Sequence, residues 1–228
     1  MTITFEIQRR KSAQDRPYIQ ELTLETEDTT VAEALDIMNA GELADDPIQW
    51  ECSCKQKKCG ACAMLINGKP RLACDARLSE FPKGVVELAP LKKFPTVCDL
   101  VVDRSVMYDA LKKLGAWFQG GAVHDETGIA YDASRCLQCG CCLEICPNFY
   151  PGGDFFGMAG FAPAARLIAQ LPEEKRQFLC KAYRRHVYEG CGKSLACRKV
   201  CPAGLPIDAL LVNTNAAAVW KNPFRRKR

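Results

Sequence analysis

Fifteen cysteines dominate the chemistry available to this 228-residue chain. The number is odd, and the opening Met1-Thr2-Ile3-Thr4-Phe5-Glu6 lacks a basic segment leading into an apolar one. Such a set makes a poor disulfide framework and points to a reducing, cytoplasmic compartment. Thiols kept free there become thiolates, and thiolates ligate metals. The cysteines form two groups, Cys52 to Cys74 and Cys136 to Cys201, with Cys98 between them. The two histidines, His124 and His186, lie in separate regions and read as surface residues or neighbours of ligands. No acid–base or nucleophile constellation accompanies them, so no substrate chemistry is expected on the chain itself.

Cys54, Cys59, Cys62 and Cys74 carry the spacing C-x4-C-x2-C-x11-C. That is the plant-type spacing for a 2Fe–2S cluster. Asn67-Gly68 reads as a two-residue hairpin turn. It would pair Ile66 with Lys69 and set Cys62 opposite Ala73, delivering Cys74 beside Cys62. Three thiolates from a loop and one from the returning strand would enclose a flat two-iron unit, with Gly60 letting the backbone approach closely. Structural zinc also takes four cysteines, but usually as paired C-x2-C knuckles.

Cys136, Cys139, Cys142 and Cys146, followed by Pro147, form C-x2-C-x2-C-x3-C-P, the bacterial run whose fourth cysteine ligates the neighbouring cluster. The partner run is Cys191, Ser194, Cys197 and Cys201, followed by Pro202, with serine in the second ligand position. Crossing the ligands assigns Cys136, Cys139, Cys142 and Cys201 to a 4Fe–4S cluster. Cys146, Cys191 and Cys197 remain, and a serine hydroxyl is a weaker iron ligand than a thiolate, so a 3Fe–4S cluster is expected there. A 4Fe–4S cluster with serine or water on its fourth iron is the alternative. Cys52, Cys98, Cys141 and Cys180 are left over and read as small buried residues.

The elements that must position these thiols divide near residues 98–104. The first part reads as strands Thr2–Arg9 and Tyr18–Glu25, a helix Thr30–Ala40, the hairpin Ala63–Ile66 and Lys69–Ala73, and a strand Val85–Ala89. The second reads as helices: Arg104–Leu114, Pro163–Leu171 opening on a first-turn proline, one opened by Pro172-Glu173-Glu174 and ending at Arg184-Arg185, and Pro206–Val219. The predicted fold class is α+β. A β-grasp-like, plant-type 2Fe–2S domain over residues 1–100 precedes an all-α two-cluster domain over residues 101–228.

This order of sites, with the second run short of one cysteine, resembles the iron–sulfur subunit of succinate dehydrogenase and fumarate reductase. The resemblance covers essentially the whole chain, including Asp99-Leu-Val-Val-Asp103-Arg104 and Ser134-Arg135-Cys136-Leu137. It implies a subunit between an FAD-containing flavoprotein and an integral membrane anchor that binds quinone. Electrons would pass among FAD, 2Fe–2S, 4Fe–4S, 3Fe–4S and quinone, in either direction. Cys54, Cys59, Cys62 and Cys74 would face the flavoprotein, and Cys146, Cys191 and Cys197 the quinone.

Two positions depart from the family. Many members carry tryptophan shortly after the first Cys-Pro and histidine after the first cysteine of the second run; here Tyr150 and Gly192 occupy those segments. Tyr150, with Ser194, is the quinone-facing candidate. The departures keep open a related subunit serving another flavoprotein or a soluble carrier. No run of about 18 apolar residues exists, so a peripheral place on the cytoplasmic membrane face is expected. The net charge of +4 does not suggest nucleic acid. The segment after Trp220 holds five basic residues in eight and reads as a solvated terminus or a contact for anionic headgroups.

Overall fold

A computed structural model describes residues 1–117, 125 and 127–220. His124 and the basic segment 221–228 lie outside the described residues. The chain forms two compact units. The first joins Met1–Arg104 to Leu137–Ile145, and the second joins Ser105–Cys136 to Cys146–Arg228.

In the first unit, β1 (Thr2–Arg9), β2 (Tyr18–Glu25), β3 (Ala63–Ile66), β4 (Lys69–Leu72) and β5 (Val85–Ala89) make one sheet in the order β2-β1-β5-β3-β4. β1 and β5 run parallel, and the other neighbours antiparallel. Alternation puts Ile3, Phe5 and Ile7 inside from β1, and Val86 and Leu88 from β5. With Val31, Ala34 and Leu35 of α1 (Val31–Ala40), they build the core of this unit. Thr30 caps α1, its hydroxyl accepting the Glu33 amide. Thus β1, β2, β5 and the helix stand where the sequence pattern puts them.

The β3–β4 register pairs Ile66 with Lys69, as the Asn67-Gly68 turn demands. Both turn residues have positive φ, 48° and 73°, the type I′ signature. β4 ends at Leu72 rather than Ala73, because Ala73–Asp75 winds into a 3-10 turn. The Ala73 amide still donates to the Cys62 carbonyl at 3.0 Å, so the expected juxtaposition is kept.

Residues before the unit boundary form an unanticipated two-stranded ribbon, β6 (Thr96–Cys98) and β7 (Val101–Val102). The turn between them buries Asp99, whose carboxylate accepts the amides of Arg10 and Gln49 at 2.8 and 2.9 Å. The buried Arg9 guanidinium lies 3.1 Å from the same carboxylate, so this charge is paired rather than stranded.

The second unit is helical: α2 (Ser105–Leu114), α3 (Ile129–Ser134), α5 (Gly157–Gln170), α6 (Glu173–Tyr183), α7 (Ala196–Lys199) and α8 (Ile207–Ala218). The short α4 (Cys141–Glu144) belongs to the first unit. Pro163 does not open its helix; α5 begins six residues earlier, at Gly157, and carries Pro163 inside it. Residues 157–162 are all buried, so no polar face announces a helix there. α6 runs into a π-helical turn, Arg184–Tyr188, in the basic end that the sequence assigns to the helix. Tyr183, fully buried, donates from its hydroxyl to Asn215 Oδ1 at 2.6 Å and ties α6 to α8.

Candidate iron–sulfur sites

The loop from Glu51 to Cys62 runs from the region after α1 into β3. Lys55 and Lys57 hold φ of 50° and 59°, the left-handed region that non-glycine residues rarely enter. Such alternation turns successive amides to one side, a concavity suited to anions and iron–sulfur groups. The amides of Gln56 and Lys58 both donate to Cys54 Sγ at 3.3 Å, and that of Lys57 to Cys74 Sγ at 3.3 Å. The Gln56 amide foremost, then that of Lys58, brings the Cys54 thiol down to about 7 from the ordinary 9.0. Cys54 also contacts the Cys59 thiol, and Cys62 the Cys74 thiol. Burial drives the Cys62 thiol up, so without iron it keeps its proton. The loop is pinned from outside by Lys55 to Asp36 of α1 and by Lys57 to Asp75 at 2.7 Å.

The structure therefore brings Cys54, Cys59, Cys62 and Cys74 together within the first unit. Among the described residues, no three Cys, His, Asp or Glu side chains take the spacing of a single-ion site. The four thiols stand as two contacting pairs, with amide donors already directed at two of the sulfurs. This donor set fits a two-iron group with negatively charged sulfur.

The next ligand candidates divide between the units. Cys139 and Cys142 belong to the first, on Leu137–Ile145, and Cys136 and Cys201 to the second. Gln138 and Gly140, with φ of 51° and 90°, turn the backbone around Cys139. The buried Cys141 thiol hydrogen-bonds the Cys139 sulfur and draws the Cys139 thiol down to about 7. The segment is fastened by Glu144, which accepts the Lys93 amide at 3.0 Å, and by Gly140, whose α-carbon faces the Phe94 ring. In the second unit, Arg135 Nη2 donates to the Ala203 carbonyl at 2.8 Å, linking the neighbour of Cys136 to the turn after Cys201.

Cys146, Cys191 and Cys197 all lie in the second unit. Burial pushes the Cys197 thiol up, and the charges of Cys146 and Cys191 add to it, so the three sulfurs sense one another. Asn148 binds the chain around Cys191: its Nδ2 donates to the Gly190 carbonyl at 2.6 Å, and its amide abuts Gly192. Ser194 is exposed, between Lys193 and Leu195 at φ of 55° and 56°, and its hydroxyl accepts the Ala196 amide at 3.5 Å. Tyr150 is 64% exposed and lays its ring over Gly153. His186 stacks on Phe156 with centroids 4.4 Å apart and sets Nδ1 2.9 Å from the Asp154 carbonyl.

Of the four leftover cysteines, only Cys141 is the buried residue expected. Cys52 is exposed on the approach to the ligand loop, and Cys98 and Cys180 are half-buried. The participation of Cys141, Asn148 and the amides of residues 56–58 had no signal in residue type or spacing.

Comparison with known proteins meets this geometry. The family described as "2Fe-2S iron-sulfur cluster binding domain" matches residues 4–109, and "4Fe-4S dicluster domain" matches residues 132–205. The succinate dehydrogenase iron–sulfur subunit of Bacillus subtilis is 33% identical, over 94% of this chain and 91% of that protein. The fumarate reductase iron–sulfur subunit of Wolinella succinogenes is 29% identical, over 87% of this chain and 89% of that one. A chain from the Mycobacterium smegmatis Sdh1 complex in its apo form shares the fold, with a TM-score of 0.75 at 21% identity, covering 94% of this chain and 96% of that chain. The cysteine loops thus sit in an α+β chain with 2Fe–2S and 4Fe–4S cluster domains, which belongs to the iron–sulfur subunits of succinate dehydrogenase and fumarate reductase.

Proposed function

We propose that this chain relays electrons between the FAD of a flavoprotein subunit and a membrane quinone, using 2Fe–2S, 4Fe–4S and 3Fe–4S clusters. The observation that carries this is the paired thiol quartet whose sulfurs already receive three backbone amides. Cys54, Cys59, Cys62 and Cys74 would hold the first cluster, in a β-grasp-like domain over residues 1–100. Cys136, Cys139, Cys142 and Cys201 would hold the second, and Cys146, Cys191 and Cys197 the third, in a two-cluster domain over residues 101–228. Ser194, engaged with the Ala196 amide, supports a three-iron cluster at that last set. The clusters supply one-electron transfer without proton bookkeeping, at potentials set by cluster type, charge, hydrogen bonds and exposure. The chain's own part is to hold each group, direct amides at its sulfurs and keep it from water.

The partners would be an FAD-containing flavoprotein and an integral membrane anchor. No described helix is long and apolar enough to cross a membrane. In this reading the chain sits peripherally on the cytoplasmic face of the membrane, with the basic residues of segment 221–228 meeting anionic headgroups. Tyr150, exposed just past Cys146-Pro147, and Ser194 are the quinone-facing candidates. Gly192, where the family resemblance implies histidine, favours a second reading, with a soluble carrier as the terminal acceptor.

Anaerobic purification of the native complex tests both. A flavoprotein and a membrane subunit should accompany the chain, and electron paramagnetic resonance should show a reduced 2Fe–2S signal and an air-oxidised 3Fe–4S signal. A wholly soluble partner set would establish the second reading. Absence of iron and acid-labile sulfide would overturn both.

A further inference from the structure

Arg104 ends the first unit, and its side chain is only 13% exposed. Its Nη2 donates to the carbonyls of Ala61 and Ala63, each at 3.2 Å, which are the carbonyls bracketing Cys62. Its Nη1 pairs with Glu51, at the start of the same loop, and Glu51 is 40% exposed. The Arg104 Nε is buried without a hydrogen-bond partner among the described residues. One guanidinium donor is therefore left without an acceptor among the described residues, and the carboxylate paired with the group is 40% exposed.

The loop that Arg104 grips meets the next ligand run directly. A Cβ on Gly60 would come within 2.7 Å of Cys139 Cβ and 2.9 Å of the Leu137 carbonyl. Gly60, at φ +79°, is thus the point where the Cys59–Cys62 turn rests against Cys139. The guanidinium thus backs the very turn that rests on Cys139, through the carbonyls of Ala61 and Ala63. An arginine stays charged throughout the physiological pH range, so this is a fixed charge rather than a switch.

We propose that Arg104 is a positioning residue shared by two clusters, bracing the 2Fe–2S loop against Cys139 and raising both reduction potentials with one buried positive charge. A cluster gains negative charge on reduction. A cation held nearby in a medium of low dielectric stabilises the reduced form, and an exposed counter-charge such as Glu51 offsets it only partly. This rests on the ligand assignment proposed above.

Redox titration of the intact complex, read by the separate resonance signals of the three clusters, tests it. Arg104→Gln should lower the potentials of the 2Fe–2S and 4Fe–4S clusters together. A tenfold change in each one-electron equilibrium is expected, equivalent to about 59 mV, with the 3Fe–4S potential unmoved. Arg104→Lys, which restores charge without the fork, should recover most of that shift. Should Arg104→Gln not assemble, Glu51→Gln offers the opposite sign, raising both potentials while leaving the arginine in place. A shift confined to the 2Fe–2S cluster would reduce Arg104 to a local brace and overturn the proposal. So would wild-type potentials with all signals intact. Missing signals in the wild-type complex would instead overturn the ligand assignment.

Discussion

Gly60→Ala offers a measure of how tightly the two ligand runs are packed. The substitution adds one methyl group where the backbone is left-handed and where Cys139 Cβ lies 2.7 Å from the new atom. The left-handed conformation alone costs an L-residue roughly 1–2 kcal/mol. Forcing a methyl into a packed site typically adds about 1–3 kcal/mol. Neither obstructing atom is the far end of a flexible side chain: one is a Cβ and the other the Leu137 carbonyl oxygen. Gly68→Ala supplies the control, since Gly68 has φ +73° but nothing within 4 Å of its hypothetical Cβ. Both variants therefore carry the backbone penalty, and only Gly60→Ala carries the packing penalty. At about 2–4 °C per kcal/mol for chains of this size, Gly60→Ala should melt below Gly68→Ala by roughly 2–12 °C. Thermal unfolding followed by intrinsic fluorescence, with the 2Fe–2S visible absorption as a second readout, measures the difference. Equal melting temperatures for the two variants would refute the close approach of Gly60 to Cys139.

Other expectations follow from the remaining sites. Asn148→Ala removes the 2.6 Å bond to the Gly190 carbonyl. It should cost about 0.5–1.5 kcal/mol and selectively lower the 3Fe–4S signal relative to the other two. Ser194→Cys adds a fourth thiol to the set proposed for the three-iron cluster and should replace the expected air-oxidised 3Fe–4S signal with 4Fe–4S behaviour. Cys141→Ala removes the thiol that hydrogen-bonds Cys139 and should lower the 4Fe–4S potential, read by redox titration, because a donor to a cluster sulfur favours the reduced form. In cluster-free protein the amide contacts hold Cys54 at about 7, below the ordinary 9.0. Their stabilisation is present above the ordinary value and is lost as pH falls through 7. Alkylation of Cys54, followed by mass spectrometry, should therefore rise through pH 7, while the Cys52 thiol, exposed yet pushed up by partial desolvation, reacts only in more alkaline solution.

The parts of this fold legible from the chain are those fixed by local rules. Asn67-Gly68 dictates the turn, the turn dictates the register, and the register brings Cys74 to Cys62. Thr30 and Glu33 mark the start of α1 because the capping interaction is local. Pro163 misleads because proline favours a first turn, whereas burial around Gly157–Ala162 carries the helix further back. The ligand loops were readable as cysteine spacing but not as shape. Lysines at 55 and 57 have no intrinsic preference for left-handed φ, so tertiary packing and the pairings with Asp36 and Asp75 hold them there. Asn148, Cys141 and Arg104 act across the fold on residues remote in sequence or on a neighbouring thiol, and residue type alone carries no trace of that.

The first unit is not a continuous stretch of chain, since Leu137–Ile145 completes it after 32 intervening residues that belong elsewhere. A ribosome must therefore deliver residue 145 before the surface formed by Gly60, Leu91 and Phe94 receives its cover. A gene fragment stopping at Arg104 would leave that apolar seat open to water and to other chains. The amino-terminal half consequently cannot be cut out and moved to another protein as a free-standing module unless Leu137–Ile145 travels with it.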